Sequence, residues 1–478
     1  MYFLLRIESE ESITGGQLSL FEDLDPPDVY KRITSLPDGY ENDPIVNELF
    51  NSIETTNHSY FITGKAGTGK STFIHFLAQK TEKKILLCAF TGIAAINIGG
   101  QTLHSFFRFP LKPLLPNDHE IPIFKEYFQK RKILEQIDSI VIDEVSMLRS
   151  DLLEGLDFSL RNNGGNPDLL FGGKQLIFVG DVFQLPPVTD NIDEAENFLF
   201  KHIYESEYFF DSPSFKKLNP HFFEFKKAFR QKDDFYFINL LDDVRTCNTK
   251  AETIIELNKR YFPDYIPNND EYVITLTTNN SLANSYNSSR LEALNYTKFL
   301  FSAEITGEFS RNRYPTNEVL ELKRNAQIIF IKNDSAFIEK PRRWVNGTIA
   351  KVDFISKDSI EIKLSDGSIH RVERETWENR RYKYDREKRK IVSEVIGTFT
   401  QYPIKLAWAI TIHKSQGLTF DKVVVDIGGG AFVNGQLYTA LSRCMSFEGL
   451  YLKRKINNTD IIADNRIMEF YKNNFNES

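Results

Sequence analysis

The residues Gly64-Lys65-Ala66-Gly67-Thr68-Gly69-Lys70-Ser71 match the GxxxxGK[ST] phosphate-binding loop in full. Glycines lack a β-carbon, so backbone N–H groups can converge on phosphate oxygens, and a helix start adds a dipole that favours negative charge. In that arrangement Lys70 reaches the β- and γ-phosphates, the Ser71 hydroxyl holds Mg²⁺, and Thr72 continues the cradle into the helix. Gly64, Gly67, Thr68 and Gly69 shape the loop itself. The predicted ligand is a nucleoside triphosphate with Mg²⁺. A chance glycine-rich turn would have no reason to lie between a β-rich stretch, Tyr60-Phe61-Ile62, and a helix-compatible one, Thr72 to Leu77, as this loop does.

Two further clusters are suited to act on a bound triphosphate. Ser139-Ile140-Val141-Ile142-Asp143-Glu144 is an apolar run ending in two carboxylates, the Walker B pattern. There Asp143 positions Mg²⁺ and Glu144 orients or deprotonates the attacking water, since phosphoryl transfer depends on positioning and charge neutralisation. An acidic pair after a strand is commonplace alone; downstream of a full phosphate loop it becomes specific. Gln175 to Val179, followed by Gly180-Asp181-Val182-Phe183-Gln184, delivers Asp181 and Gln184 to the carboxyl end of a buried strand, where open α/β sheets bind ligands. Gln184 is placed to sense the γ-phosphate by hydrogen bonding.

Such residues need a sheet to hold them. Apolar stretches at 59–63, 84–90, 139–142 and 175–179 alternate with helical patterns, which predicts a parallel sheet covered by helices on both faces. A second α/β series begins at Tyr272–Leu276 and resumes at Lys422–Asp426 and Leu450–Leu452. Between its halves, residues 310–395 alternate apolar and polar in short strands around a turn at Asp366-Gly367, the pattern of a small inserted β-barrel. The expectation is an α/β chain of two P-loop-type domains, 44–220 and 221–309 with 396–478. Residues 105–130, with Pro110, Pro113, Pro116 and Pro122, read as a surface insertion in the first. A chain of 478 residues has room for about three domains at roughly 100–200 residues each.

The net charge of −7 is concentrated: residues 8–43 hold ten acidic side chains against Lys31 and Arg32, so the remainder is close to neutral. Residues 1–43 therefore read as an acidic tail or loosely docked segment. Basic clusters at Arg380-Arg381-Tyr382-Lys383 and Lys388-Arg389-Lys390 suit either a solvated face or a nucleic-acid surface. Cys88, Cys247 and Cys444 are scattered and odd in number, which argues against a disulfide framework or zinc site and for a reducing compartment. No apolar run approaches the ~18 residues of a membrane span, and the opening apolar run is too short for a signal peptide.

Taken in order, these motifs resemble those of superfamily 1B helicases, specifically the petite-integration-frequency (PIF) family of DNA helicases, with RecD-like helicases next. The likeness extends through Ala89-Phe90-Thr91-Gly92-Ile93, Gln101-Thr102-Leu103-His104, Phe229-Arg230-Gln231, the run from Ala407 through Thr411, His413, Ser415 and Gly417 to Thr419, and Tyr438-Thr439-Ala440-Leu441-Ser442-Arg443. It implies two RecA-like domains with ATP in the cleft between them and Gly417 beside it. It also implies Arg230 and Arg443 as arginine fingers that stabilise charge on the transferring phosphoryl. Thr91, Gly92, His104, Thr411, His413 and Ser415 would touch the DNA backbone. Trp344-Val345-Asn346-Gly347 resembles a turn of the SH3-like insert of relatives, and 105–130 would be a wedge at the fork. The glutamine that reads adenine in relatives has no counterpart in residues 36–58.

The implied function is an ATP-dependent helicase moving 5′→3′ on single-stranded DNA and unwinding duplex and forks, in replication, recombination or repair. Its place in a bacterium would be the cytoplasm, with the nucleoid. The alternative is a nucleotide-gated single-strand-binding module without processive unwinding; intact Glu144, Gln184, Arg230 and Arg443 favour the motor. Gln17-Leu18-Ser19-Leu20-Phe21, in the acidic segment, resembles the pentapeptide with which bacterial proteins dock on the sliding clamp. Packing of Leu18, Leu20 and Phe21 back onto the first domain is the equal rival.

Overall fold

The computed structural model describes residues 36, 39–110, 112–125, 129–189, 196, 198–226, 235–268, 271–309, 311, 314–332, 334, 343–344, 347–385 and 390–475, with 93, 96, 129, 380–385 and 390–394 as backbone only. Gln17–Phe21, Arg230, Val345 and Asn346 lie outside this set.

The first domain is built on six parallel strands: β1 (Tyr60–Gly64), β2 (Ile85–Ala89), β3 (Gln101–Thr102), β4 (Ser139–Asp143), β5 (Gln175–Val179) and β6 (His221–Phe225). They lie in the order β3-β2-β4-β5-β1-β6. Strands β1, β2, β4 and β5 are buried along their whole length, as a parallel sheet covered on both faces requires. Alternate side chains go to opposite faces: Phe61, Ile140, Ile142 and Phe178 enter one core, and Ile62, Val141, Ile177 and Val179 the other. Helices α1 (Pro44–Thr55) and α2 (Lys70–Lys80) pack into the second core, and α6 (Ser150–Asn162) into the first; α3 (Gly92–Asn97), α4 (Leu103–Phe107) and α5 (Gln129–Gln136) come between them in the chain. This order sets β5 between β1 and β4, so the phosphate loop, Asp143 and Asp181 all emerge at one carboxyl edge.

The second domain has four parallel strands, β18-β7-β19-β20, with β7 at Ile274–Thr277, β18 at Ala409–Thr411, β19 at Val423–Asp426 and β20 at Leu450–Leu452. The insertion between β7 and β18 is antiparallel. One sheet runs β14-β13-β12-β11-β17, where β11 is Gln327–Phe330, β12 Ile349–Ile355, β13 Ile360–Leu364, β14 Ile369–Val372 and β17 Ile404–Leu406. Phe330 and Trp344 stack at 4.3 Å inside its core. No helix among the described residues is long and apolar enough to cross a membrane.

Four expected boundaries move. Residues 39–43 are docked and not part of a tail: Tyr40 is fully buried, and the Asp43 side chain accepts from the Ile45 N–H to cap α1. The first domain does not end at 220, because β6 pairs with β1 from Tyr60↔His221 to Gly64↔Phe225. The insertion is wider than 310–395, because β8 (Phe299–Ser302) pairs with β10 (Val319–Leu322), β9 (Glu304–Gly307) pairs with the long strand β16 (Lys390–Gln401), whose other neighbour is β15 (Glu375–Asp385), and β17 closes on β11. The last helix, Asn465–Phe475, lies after the second sheet in sequence but packs on the first. Phe470 stacks on Phe210 at 4.3 Å and lies edge-on to Phe61 and Phe222, and the Tyr471 hydroxyl donates to Glu224 at 2.7 Å. The wedge expectation fails for its aromatic run: Phe106, Phe107 and Phe109 belong to the first domain's core, where Phe107 stacks on Phe109 at 5.4 Å. A side chain buried there is held by the hydrophobic effect and does not meet a fork.

Candidate active site

The phosphate loop takes its shape from three glycines. Gly64, Gly67 and Gly69 all have positive φ, and a β-carbon on Gly64 would lie 2.6 Å from Thr68 Oγ1 and 2.7 Å from Phe225 O. No other residue fits there. Gly69 caps α2 without any side-chain hydrogen bond, leaving the first-turn N–H groups for an anion. Lys70 Nζ donates to Gly64 O at 2.6 Å and Lys65 O at 3.0 Å, which aligns the ammonium along the loop. Burial pushes its pKa down, with Asp181 the strongest group opposing that shift. Thr68 is buried and donates to Lys65 O, while Ser71 is exposed at the helix start, with Thr72 half-buried beside it.

Asp143 ends β4, and Glu144 follows at φ 53, a left-handed conformation that costs a non-glycine residue energy and is tolerated where a side chain must be aimed. The Asp143 carboxylate accepts the Glu144 N–H at 2.8 Å. Burial raises the pKa of both carboxyls; Glu144 raises Asp143 further, while Arg443 and then Lys70 restrain the rise of Glu144. Two carboxyls and the cations Lys70 and Arg443 thus bear on one another, with Asp143 and Arg443 buried and Lys70 and Glu144 half-buried. Gln184 is buried, and its amide oxygen has no hydrogen-bond partner among the described residues.

The opposite wall comes from the second domain. Arg443 is buried, and its guanidinium donates to Thr439 O (3.1 Å), Leu418 O (3.2 Å) and Ser442 Oγ (3.0 Å). Gly417, at φ 76, presents its carbonyl to Asn97 Nδ2 at 2.7 Å, which ties the 407–419 segment to α3 across the cleft. Thr91 and Gly92 start that helix, with Thr91 Oγ1 accepting the Ala94 N–H. His104 lies edge-on to Phe90 and Phe109, and burial lowers the pKa of both His104 and His413. Thr411 is buried at the end of β18. Ser415 does not face the cleft as expected: it is fully buried, and its hydroxyl donates to Ile412 O at 2.7 Å, closing the turn that presents His413.

Sequence reasoning missed Arg245 and Tyr438 as site residues. Arg245, at the end of the helix Phe235–Arg245, is 2% exposed and donates from Nε to both oxygens of Asp181 at 3.1 Å. Its guanidinium lies over the rings of Phe183 (4.6 Å) and Tyr471 (5.2 Å). The readable signal was an arginine continuing the apolar face of Phe237, Leu241 and Val244. Tyr438 donates to Asp181 Oδ2 at 2.8 Å and accepts the N–H of Ala66, in the phosphate loop, at 3.1 Å.

A family model described as PIF1-like helicase matches residues 40–253, and one for the UvrD-like helicase C-terminal domain matches 406–452. The ATP-dependent DNA helicase Pif1 of Campylobacter jejuni is 31% identical over 86% of this chain and 94% of its own. This chain belongs to the PIF1-like helicase family. A crystal structure of Pif1 helicase from Bacteroides in complex with ADP-AlF3 and single-stranded DNA superposes on this helicase with a TM-score of 0.78, at 33% identity over 91% of this chain and 98% of that one. The unliganded Pif1 from Bacteroides sp superposes with a TM-score of 0.63 at 34% identity and the same coverage.

Proposed function

We propose that this PIF1-like helicase hydrolyses ATP to move 5′→3′ along single-stranded DNA and to unwind duplex and forked DNA, in replication, recombination or repair. The observation that carries the reading is that Arg443, from the second domain, acts on Glu144 beside Lys70 and Asp143 of the first. Lys70 and the loop amides bind the phosphates. Glu144 orients the attacking water and takes its proton, a role helped by a carboxyl whose pKa burial has raised. Arg443, with Arg230, stabilises the charge that develops on the γ-phosphoryl, and Gln184 reports its presence. The exposed Ser71 hydroxyl and the Asp143 carboxylate form an oxygen-only pair that suits Mg²⁺, which when bound neutralises phosphate charge. The segments of Thr91, Gly92, His104, Thr411 and His413 grip the backbone on either side of the Asn97–Gly417 contact, and opening and closing of the cleft turns that grip into stepping.

Strand displacement tests this reading. With ATP, a DNA duplex bearing a 5′ single-stranded tail should separate, and one bearing a 3′ tail or an RNA loading strand should not. Preference for the 3′ tail, or single-strand binding without separation of any duplex, would overturn it.

Two finer assignments belong with this proposal. The cytoplasm, with the nucleoid, is the compartment that suits it in a bacterium. Gln17-Leu18-Ser19-Leu20-Phe21 would dock on the sliding clamp, with Leu20 and Phe21 as apolar anchors in an otherwise acidic segment. A peptide of residues 12–26 should bind a bacterial clamp in the micromolar range, about −8 kcal/mol. Binding that survives Phe21→Ala would refute the assignment.

A further inference from the structure

The second domain reaches the phosphate loop itself. Two side chains do this, and neither is among the groups assigned to hydrolysis. The Tyr438 hydroxyl accepts the Ala66 N–H at 3.1 Å, and the Asp242 carboxylate pairs with Lys65 Nζ at 2.7 Å. Tyr438 is fully buried, and burial, followed by the nearby Asp181, raises its pKa well above the ordinary range for a phenol. It therefore stays protonated. Its one proton goes to Asp181 Oδ2 at 2.8 Å, and an oxygen lone pair remains for Ala66. Asp181 is in turn gripped by Arg245 from the same helix that carries Asp242.

These contacts close a continuous route from the DNA cleft to the phosphates. Asn97, on the helix that Thr91 and Gly92 begin, donates to Gly417 O; the next residue, Leu418, accepts from Arg443 through its carbonyl; and Arg443 Nε bonds Thr439 O, next to Tyr438. The segment around Tyr438 is seated tightly: Gly435, at φ 70, opens its helix, and a β-carbon there would lie 2.3 Å from Phe183 O and 2.5 Å from Gln184 O. A shift of the second domain on DNA cannot leave Tyr438 and Ala66 as they are.

We propose that Tyr438, assisted by Asp242, is the positioning residue through which single-stranded DNA in the cleft stimulates ATP hydrolysis: docking of its hydroxyl on Ala66 fixes the phosphate loop in its working shape. The inference rests on the chain being a DNA-dependent ATPase. If the unaltered protein shows no stimulation by DNA, that reading fails; the variants below test the inference itself.

The full chain and Tyr438→Phe, which keeps the ring and removes only the hydroxyl, are compared for ATPase kcat with and without oligothymidylate, single-strand affinity by fluorescence anisotropy, and Tm. The expected result is a DNA-stimulated kcat lower by roughly 10- to 100-fold, the effect of one lost hydrogen bond in a charged network. The ratio of stimulated to unstimulated rate should fall with it, while single-strand affinity changes less than about threefold. A structural role would lower both rates together; a preserved ratio overturns the proposal. So does a loss of single-strand affinity large enough to explain the fall. Should Tyr438→Phe prove unfolded by circular dichroism, Asp242→Asn, a partly exposed site, carries the same test with the same criterion.

Discussion

Replacing Arg245 by alanine should be among the most damaging single changes in this helicase, although the residue touches no expected ligand. Both members of its ion pair are out of water: side-chain exposure is 1% for Arg245 and 0% for Asp181. Among the described residues Arg245 gives Asp181 its only full positive partner in direct contact, with Tyr438 and the Phe183 N–H as the other donors. Burial alone would lower the Arg245 pKa, and Asp181 is the strongest influence that carries it above the ordinary value. Alanine leaves the carboxylate buried and uncompensated, a loss of about 3–5 kcal/mol for a broken buried pair. With about 2–4 °C per kcal/mol for a domain of about 150–250 residues, the first calorimetric transition should drop by roughly 6–20 °C. Arg245→Met combined with Asp181→Asn should recover part of that loss, because it removes the buried charge while filling the space. Calorimetry of Arg245→Ala, and of Arg245→Met, Asp181→Asn and their combination as a double-mutant cycle, decides the matter. A drop of less than about 1 kcal/mol in Arg245→Ala, or no recovery in the double variant, would refute the view that an unpaired buried charge dominates.

Other substitutions separate the remaining roles. Glu144→Gln should still bind nucleotide and single-stranded DNA but hydrolyse far more slowly in a steady-state ATPase assay; loss of binding in place of turnover would mean its role is misassigned. Arg443→Ala should cut DNA-stimulated turnover by about 10³–10⁵ with a much smaller change in nucleotide affinity, and the reverse pattern would make it a structural arginine. Phe107→Ala should cost about 3–5 kcal/mol in denaturant unfolding, because the ring is fully buried; a change that spares stability and impairs only unwinding would restore the wedge. Burial, with Lys414 adding, pushes Lys405 down to about 8. The folded state then binds fewer protons than the unfolded one between about pH 8 and 10.4, so stability rises with pH across that window and the desolvation cost is greatest below it. Lys405→Met should therefore raise Tm at pH 7 and do so much less at pH 10.

The chemistry of the first domain was legible because it is local. The phosphate loop, the β4 carboxylates and the turn after β5 are each short runs whose meaning depends on a strand before them and, for the loop, a helix after. The sheet was legible from apolar runs for the same reason. What escaped were features set by distant pairing. Nothing near His221 announces that it will lie beside Tyr60, and nothing near Phe470 announces Phe61 and Phe210 as its neighbours. The aromatic run Phe106–Phe109 misled because an apolar cluster beside prolines has the same composition whether it caps a core or meets a substrate; only burial separates the two. Ser415 misled differently. A serine in a DNA-facing motif can serve by hydrogen-bonding the backbone of its own turn, and sequence does not distinguish the two uses.

The contacts between the domains differ in kind from one side of the cleft to the other. The last helix holds to the first sheet through stacked and edge-on phenylalanines, with Phe470 among Phe61, Phe209, Phe210, Phe215 and Phe222. Such contact is roughly proportional to buried apolar area and is lost only by exposing that area to water. At the nucleotide, the buried Arg245–Asp181 pair is flanked by single polar contacts between the domains: Tyr438 with Ala66, Asp242 with Lys65, and Asn97 with Gly417. Each of these can be exchanged for water or ligand at a net cost of only about 0.5–3 kcal/mol. Exchanging these three contacts is therefore cheaper than parting the aromatic helix from the first sheet, or than separating the buried Arg245 from Asp181, which the first prediction puts at about 3–5 kcal/mol. Arg443, Tyr438 and Asp242 stand on one side of the cleft and Lys70, Asp143 and Glu144 on the other, so any change in its width alters how the two sets meet.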